Sequence, residues 1–277
     1  MPVPVGLSST WGAESWSETL IEALSLESVL LQAGARRVVA TGRTIHVPRL
    51  LVAPDADWVP ELTEIPSDAG DADSVELVPR KIGNILELSR ESIEDASVNE
   101  LDAVGRAMVR GVATKLDAKF FSVDPATATA PAGIRAVALP GVAGAVDFTS
   151  IVTGIGAITA EGGNPNAVFV AAADLTALRL LTAADGRPPP PRRRGGGAHP
   201  ARRGGAEPPA GGRLFPAPLP AGTAVIADMN YIVLAVRRDA SVDFSSDSAF
   251  TRDAIAARVT MRLDWAVGDP AATYVIT

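Results

Sequence analysis

Trp58-Val59-Pro60-Glu61, Val78-Pro79-Arg80-Lys81-Ile82-Gly83, Leu88-Ser89-Arg90-Glu91 and the helix-patterned run from Ser97 to Phe121 follow one another in the first half of the chain. The last of these is the most regular. Ser97-Val98-Asn99-Glu100 is a capping box, in which a serine hydroxyl and a glutamate three residues on satisfy free backbone amides. Behind it Leu101, Val104, Met108, Val112, Leu116 and Phe120 recur at spacings of three and four, which predicts one long amphipathic helix. Burying six such side chains contributes on the order of 10 kcal/mol as an upper bound. Glu100, Arg106, Arg110 and Asp117 are read as its solvent face.

Upstream, Thr44 to Ala53 and Ser74 to Leu88 are strand-like, with Ile45 and Val47 alternating against His46, and Val75 and Leu77 against Glu76. Between them Pro54 to Asp73 carries Asp55, Asp57, Glu61, Glu64, Asp68, Asp71 and Asp73 and no positive charge. A stretch that polar packs no core of its own. Two strands projecting with such a tip form a long hairpin arm, which is marginal alone and needs a partner surface.

This order of segments resembles the major capsid proteins of tailed bacteriophages, the Hong Kong 97 fold. In that family an extended two-stranded loop precedes a "P-R-K-I" return, an "L-S-R-E" corner and a spine helix, which Pro79 to Ile82, Leu88 to Glu91 and Ser97 to Phe121 match in turn. The ending Arg262 to Ala272, "R-x-D-x-A-V-x-x-P-A-A", resembles the family as well. The resemblance implies an α+β Hong Kong 97-like capsid fold. Its expected parts are an N-terminal arm with short helices (1–42), an extended β-hairpin loop (43–88) and a peripheral domain with the spine helix (89–124). An α/β axial domain (125–238) and the return strands of the peripheral domain with a C-terminal strand (239–277) complete it. The candidate assembly contacts are Trp58, Glu61 and Glu64 on the loop, Arg80 and Lys81 on its return, and Arg90 and Glu91 at the corner.

Two departures from the family are visible. Some members cross-link covalently through a lysine on the extended loop, whereas Pro54 to Val78 holds none and the only lysines are Lys81, Lys115 and Lys119. Loop contacts are therefore expected to be non-covalent. Many relatives also carry a long fused scaffolding segment; only a few dozen residues precede the first arm strand here, so that segment is expected to be absent or already removed.

The remaining elements follow from pattern. Ser17 to Gln32 reads as one or two short helices closed by Gly34. Phe148 to Ala160 reads as a helix, Ala167 to Ala171 as a short buried strand, and Asp174 to Ala183 as a helix. Thr223 to Ala227 and Tyr231 to Val236 are strands joined around Asp228-Met229-Asn230. Val259, Met261, Leu263 and Trp265 alternate with Thr260, Arg262 and Asp264 in a half-buried strand, and Tyr274 to Ile276 closes the chain.

Composition narrows the functional classes. With no cysteine among 277 residues, disulfides, thiolate metal sites and thiol catalysis are excluded. No apolar run is long enough for a transmembrane helix, and no membrane partner is expected. His46 has only Arg43 and Arg49 near it, and His199 lies in low-complexity sequence, so neither is read as catalytic. No Ser-His-Asp order, metal-ligand cluster or Gly-x-Ser-x-Gly elbow occurs, and neither enzymatic activity nor a cofactor is expected. The formal net charge of -7 argues against a general nucleic-acid binder.

Arg187 to Pro216 stands apart. Seven arginines against Glu207 give it +6, leaving -13 for the rest of the chain. It is almost wholly Pro, Arg, Gly and Ala, the composition of a GC-rich gene read in a shifted frame, and an irregular loop is expected. The function implied is that of a major capsid protein, partnered by copies of itself and by possible separate scaffold, portal and decoration proteins. Its pentamers and hexamers would close an icosahedral shell around double-stranded DNA without sequence-specific binding, after assembly in the bacterial host cytoplasm. The alternative within the same fold is the shell of an encapsulin-like nanocompartment.

Overall fold

The computed structural model describes residues 24, 27–52, 58–62, 71–91, 98–141, 144–180, 213–245 and 250–277. The expected N-terminal arm, the capping serine Ser97, Glu64, most of the acidic turn, His199 and residues 187–212 lie outside them.

The long helix, α2 (Val98–Phe120), follows the short α1 (Val29–Gln32). Met108, Val112, Leu116 and Phe120 are buried, as their spacing requires. A second row, Val109, Ala113, Asp117 and Phe121, is buried beside it. This corrects the placement of Asp117 on the solvent face. Two adjacent rows are covered because the helix has protein on more than one side.

One side is a four-stranded sheet of β1 (Arg36–Val39), β9 (Ile232–Ser245), β10 (Ala254–Val267) and β4 (Arg80–Ser89), in that order. β10 pairs antiparallel with both β9 and β4, while β1 runs parallel to β9. β4 alternates strictly along its length: Ile82 and Leu86 face the core, and Lys81, Gly83, Ile85 and Glu87 face solvent.

A five-stranded sheet holds β5 (Leu139–Pro140), β11 (Thr273–Ile276), β8 (Ala224–Ala227), β6 (Ala167–Ala171) and β7 (Arg213–Ala217), in that order. α4 (Phe148–Ala160) and α5 (Ala172–Leu180) cover one face, and a four-residue α3 (Ile134–Val137) leads into β5. Ile151, Ile155 and Ile158 of α4 and Leu175 and Leu178 of α5 meet Val168, Val170, Ala224, Ile226 and Ile276. The other face, Ala167, Phe169, Phe215, Val225 and Ala227, joins the core of α2 and the four-stranded sheet. With both faces covered, β6 is buried at every residue, which is why it reads as a continuous apolar run. Gly154 lets α4 approach closely; a Cβ there would lie 2.5 Å from Ile226 Cδ1.

Aromatics are only 5% of the chain, yet five of them connect the two sheets. Trp265 of β10 meets Phe120 edge-on at 5.6 Å, Phe120 meets Phe121 at 4.9 Å, and Phe121 meets Phe169 of β6 at 4.9 Å. Phe169 stacks on Phe215 of β7 at 5.6 Å. Trp265 Nε1 donates to the Ala132 carbonyl at 2.7 Å, so the one polar atom in this run is satisfied.

Several expectations about elements are corrected. Ser74 to Leu88 is not one returning strand. β3 (Asp71–Leu77) pairs with β2 (Ile45–Val52) in a separate two-stranded hairpin, and after Val78-Pro79 the chain turns into β4, which pairs with β10. Proline lacks the N–H that would continue a ladder. β9 runs through the expected border at 238/239, and the C-terminal strand β11 joins the five-stranded sheet. Arg36–Val39 forms a strand that the sequence pattern had not placed. Finally, Arg213 to Pro216 is not irregular: β7 pairs in parallel register with all five residues of β6.

Candidate assembly surfaces

The β2–β3 hairpin forms the two-stranded sheet by itself. Among its described residues the base is anchored. Leu77 is buried against Val233 and Ala235, with Ile45 and Val47 packed at the edge of that cluster. Farther out, an Arg49–Asp73 ion pair at 2.8 Å bridges the strands, and its hydrogen bond holds the Asp73 carboxyl below the usual carboxylate range. His46 lies opposite Glu76 and is exposed.

At the tip, Trp58 is 103% exposed and Leu62 is 102% exposed. Leu62 has φ of +63°, a left-handed conformation that costs a branched residue about 1 kcal/mol or more. Glu61 is exposed between them. Two large apolar side chains on a thin hairpin, fully in solvent, are unsatisfied in a single copy.

The hairpin leaves the body through a buried carboxylate. Asp264 accepts from Val78 N at 2.7 Å, from Arg80 Nη1 at 2.9 Å and from its own neighbour Trp265 N at 2.9 Å. Burial pushes its pKa up, and the amides and Arg80 oppose that shift. Arg80, expected as an assembly contact, is therefore committed within its own subunit. Lys81, the next residue, is exposed.

A second joint was missed by the sequence reading. Asp117 is only 5% exposed and accepts from Ser28 Oγ at 2.7 Å, Val29 N at 2.8 Å and Leu30 N at 3.2 Å. It caps α1 from another helix, satisfying amides at an N-terminus whose own Ser28 makes no side-chain cap. Burial pushes the Asp117 pKa up against those three hydrogen bonds. Next to it, Arg110 grips Glu27 with two bonds, at 3.0 and 3.1 Å, and the pair sits in solvent. The signal was present: Asp117 interrupts the apolar row Val109, Ala113, Phe121, where a solvated aspartate has no place.

Among the corner residues, Arg90 pairs with Asp253 at 3.4 Å and donates its backbone N–H to the Asp253 carbonyl. Glu91 is exposed. The structure thus engages Arg80 with Asp264 and Arg90 with Asp253, and leaves Trp58, Glu61, Lys81 and Glu91 exposed. Among the described residues no three His, Asp or Glu side chains gather as a metal site would require. No described helix is long and apolar enough to cross a membrane.

The described residues thus place an exposed hairpin on a body of two joined sheets and one long helix. The model of the phage capsid family matches residues 13–277. The chain belongs to the phage capsid family. Solved structures agree on the fold of this capsid protein. A chain of Mycobacterium phage Adephagia superposes with a TM-score of 0.67 at 23% identity, covering 90% of this chain and 89% of that one. One from Microbacterium phage Oxtober96 gives 0.67 at 21% identity, with 91% of each chain covered. The capsid of an empty GTA particle gives 0.66 at 16% identity, with 90% and 89% covered. No curated protein matches the sequence. The protein is a structural component of the virion capsid, and the family is generally non-enzymatic.

Proposed function

We propose that this capsid protein self-assembles as pentamers and hexamers into a closed icosahedral shell enclosing phage double-stranded DNA. The observation that carries this reading is the hairpin tip, where Trp58 and Leu62 are fully exposed in one subunit. Trp58, Glu61 and Glu64 are its loop contacts and Lys81, Arg90 and Glu91 its body contacts, with Arg80 holding the loop's base. In this reading the four-stranded sheet with α2 forms the peripheral domain, and the five-stranded sheet with α4 and α5 forms the axial domain. Weak pairwise contacts suffice, because every copy is held by several neighbours at once. A net charge of -7 suits a container that does not grip its cargo. Separate scaffold, portal and decoration proteins are the expected partners, and the host cytoplasm is the expected place of assembly.

Negative-stain electron microscopy of the purified chain, expressed with its neighbouring phage genes, tests the proposal. Closed shells of uniform diameter are expected, dissolving in hot detergent to a single monomer band because the loop carries no lysine. Particles that never form, or a covalent ladder mapped to Lys81, would overturn the shell or the non-covalent contact respectively.

A further inference from the structure

The short helix α1 is held differently on its two sides. On one side it hangs from α2. Asp117 accepts from Ser28 Oγ, Val29 N and Leu30 N, and Arg110 donates two bonds to the Glu27 carboxylate. Arg110 and Asp117 are seven residues apart, which is two helical turns. Both grips therefore come from one face of α2, roughly 10 Å apart along it.

On the other side α1 faces the four-stranded sheet across a cavity of about 190 Å³. Leu24, Leu31 and Ala35 line it from the α1 segment, and Leu234, Val236 and Met261 line it from β9 and β10. The half-exposed Arg37–Asp239 ion pair lines it as well. Folded cores keep few spaces larger than a water molecule, and a cavity of about 150 Å³ already admits a benzene ring. Polar bonds thus fix α1 while the apolar packing beneath it is incomplete. The contrast is with α4, where even a Cβ on Gly154 would lie 2.5 Å from Ile226.

The chain also has a joint about which such a segment can turn. Gly34 follows α1 with φ of +85°, in the left-handed region, and a Cβ built on it meets nothing within 4 Å. β1 begins two residues later, fixed in parallel register to β9. Four helical residues are too few to be stable alone, so α1 takes its order from whatever it rests on.

We infer that α1 is a strap with two seatings. In the one seen, it hangs from Asp117 and Arg110. In the other, those grips open, the segment turns about Gly34, and Leu31 drops into the cavity against Val236 and Met261. Hydrogen bonds are given up for buried apolar area, two contributions of similar size. The seating sets the direction in which the residues before Leu24 leave the subunit. One chain then has two exits for the pentamer and hexamer positions, a consequence that rests on the shell proposal.

Free subunits test the strap, which separates its failure from any failure to form shells. Amide hydrogen exchange followed by NMR should show Val29 and Leu30 exchanging at least tenfold faster than Val112 and Leu116 of α2. Ala240 lines the cavity from β9. Ala240→Leu should slow the α1 amides at least fivefold and leave those of α2 unchanged, while Arg110→Gln should speed the α1 amides. Pressure favours the state with less internal space and needs no substitution. The Leu31 and Met261 methyl signals should shift together below the pressure that unfolds the subunit. α1 amides that exchange only with global unfolding overturn the inference, as does a folded Ala240→Leu chain whose α1 amides match the parent. If that chain fails to fold, Leu31 signals that stay fixed until the whole parent subunit unfolds overturn it. Shell yield from the folded Ala240→Leu chain should fall at least tenfold, and a normal yield overturns the two exits. Wild-type chains that form no shells overturn the shell proposal instead.

Discussion

The spine helix and the β2–β3 hairpin both consist of alternating apolar and polar residues, but their energy is found in different places. The helix buries two rows of side chains within its own subunit, from Met108 to Phe121. Among its described residues the hairpin buries only Leu77, and Trp58 and Leu62 stand fully exposed in solvent. In the proposed shell, one element is stabilised by folding and the other by assembly. A substitution should therefore change one property and spare the other, depending on where it falls.

The largest expected effect is at the tip. A Trp58→Ala, Leu62→Ala double variant should lower shell yield by tenfold or more, since buried aromatic anchors dominate interfaces. Its urea unfolding midpoint as free subunits should equal that of the parent. A fall in that midpoint would mean that the tip packs within its own chain.

The reverse is expected in the helix. Leu116 is buried near the C-terminal end of α2, and Leu116→Ala should cost about 3 kcal/mol of subunit stability. Urea titration measures this directly, and a loss below about 1 kcal/mol would mean that the helix is less enclosed than its two buried rows indicate.

Those rows also show what the sequence did and did not reveal. The four-residue spacing of Met108, Val112, Leu116 and Phe120 could be read because helical period alone dictates it. α4 and β6 coincide with the expected Phe148 to Ala160 and Ala167 to Ala171, because a short helix and a fully covered strand leave patterns that no partner choice alters. Strand pairing was harder. Ser74 to Leu88 has one continuous strand pattern, and only the Val78-Pro79 break separates the hairpin from a strand that pairs with residues far along the chain. Asp117 and Asp264 were hidden for a related reason: each caps backbone from a distant segment, which local periodicity does not encode. Arg213 to Ala217 was obscured by its flank. The in-register pairing of β7 moves the end of the Pro/Arg/Gly-rich stretch from Pro216 to before Arg213. Reading the gene in its other two frames should therefore give strand-forming sequence only upstream of that point.

Asp117→Asn is expected to have a smaller effect than Leu116→Ala. The amide can still accept from Ser28, but its NH2 opposes the Val29 N–H, which should cost about 2 kcal/mol at neutral pH. Its pH dependence is the sharper test. Burial raises the Asp117 pKa in the folded state, so the native protein binds a proton more readily than the unfolded chain. That contribution is fully present below the ordinary value of 3.8 and is lost as pH rises through the folded value. The stability gap between parent and Asn variant should widen as pH is lowered from 7 toward 4. A gap that narrows would mean that the three hydrogen bonds outweigh desolvation.

Arg49→Gln should have the least effect of all. The ion pair it removes lies across the hairpin strands, and Asp73 owes its lowered pKa first to the Arg49 hydrogen bond and then to the Ser74 amide. A lowered carboxylate pKa contributes stability above 3.8 that is lost as pH falls through the folded value. Here the group is fully exposed, so water and salt screen the pair. Among the described residues the hairpin packs on the body at its base, around Leu77, so weakening the Arg49–Asp73 rung is not expected to reach the core. NMR titration of the Asp73 carboxyl in Arg49→Gln should show its pKa returning toward 3.8, with the urea midpoint unchanged at physiological salt. A midpoint drop as large as that of Asp117→Asn would show that the hairpin folds as one unit with the body, and the separation between a folded core and an assembly arm would fail at its outermost rung.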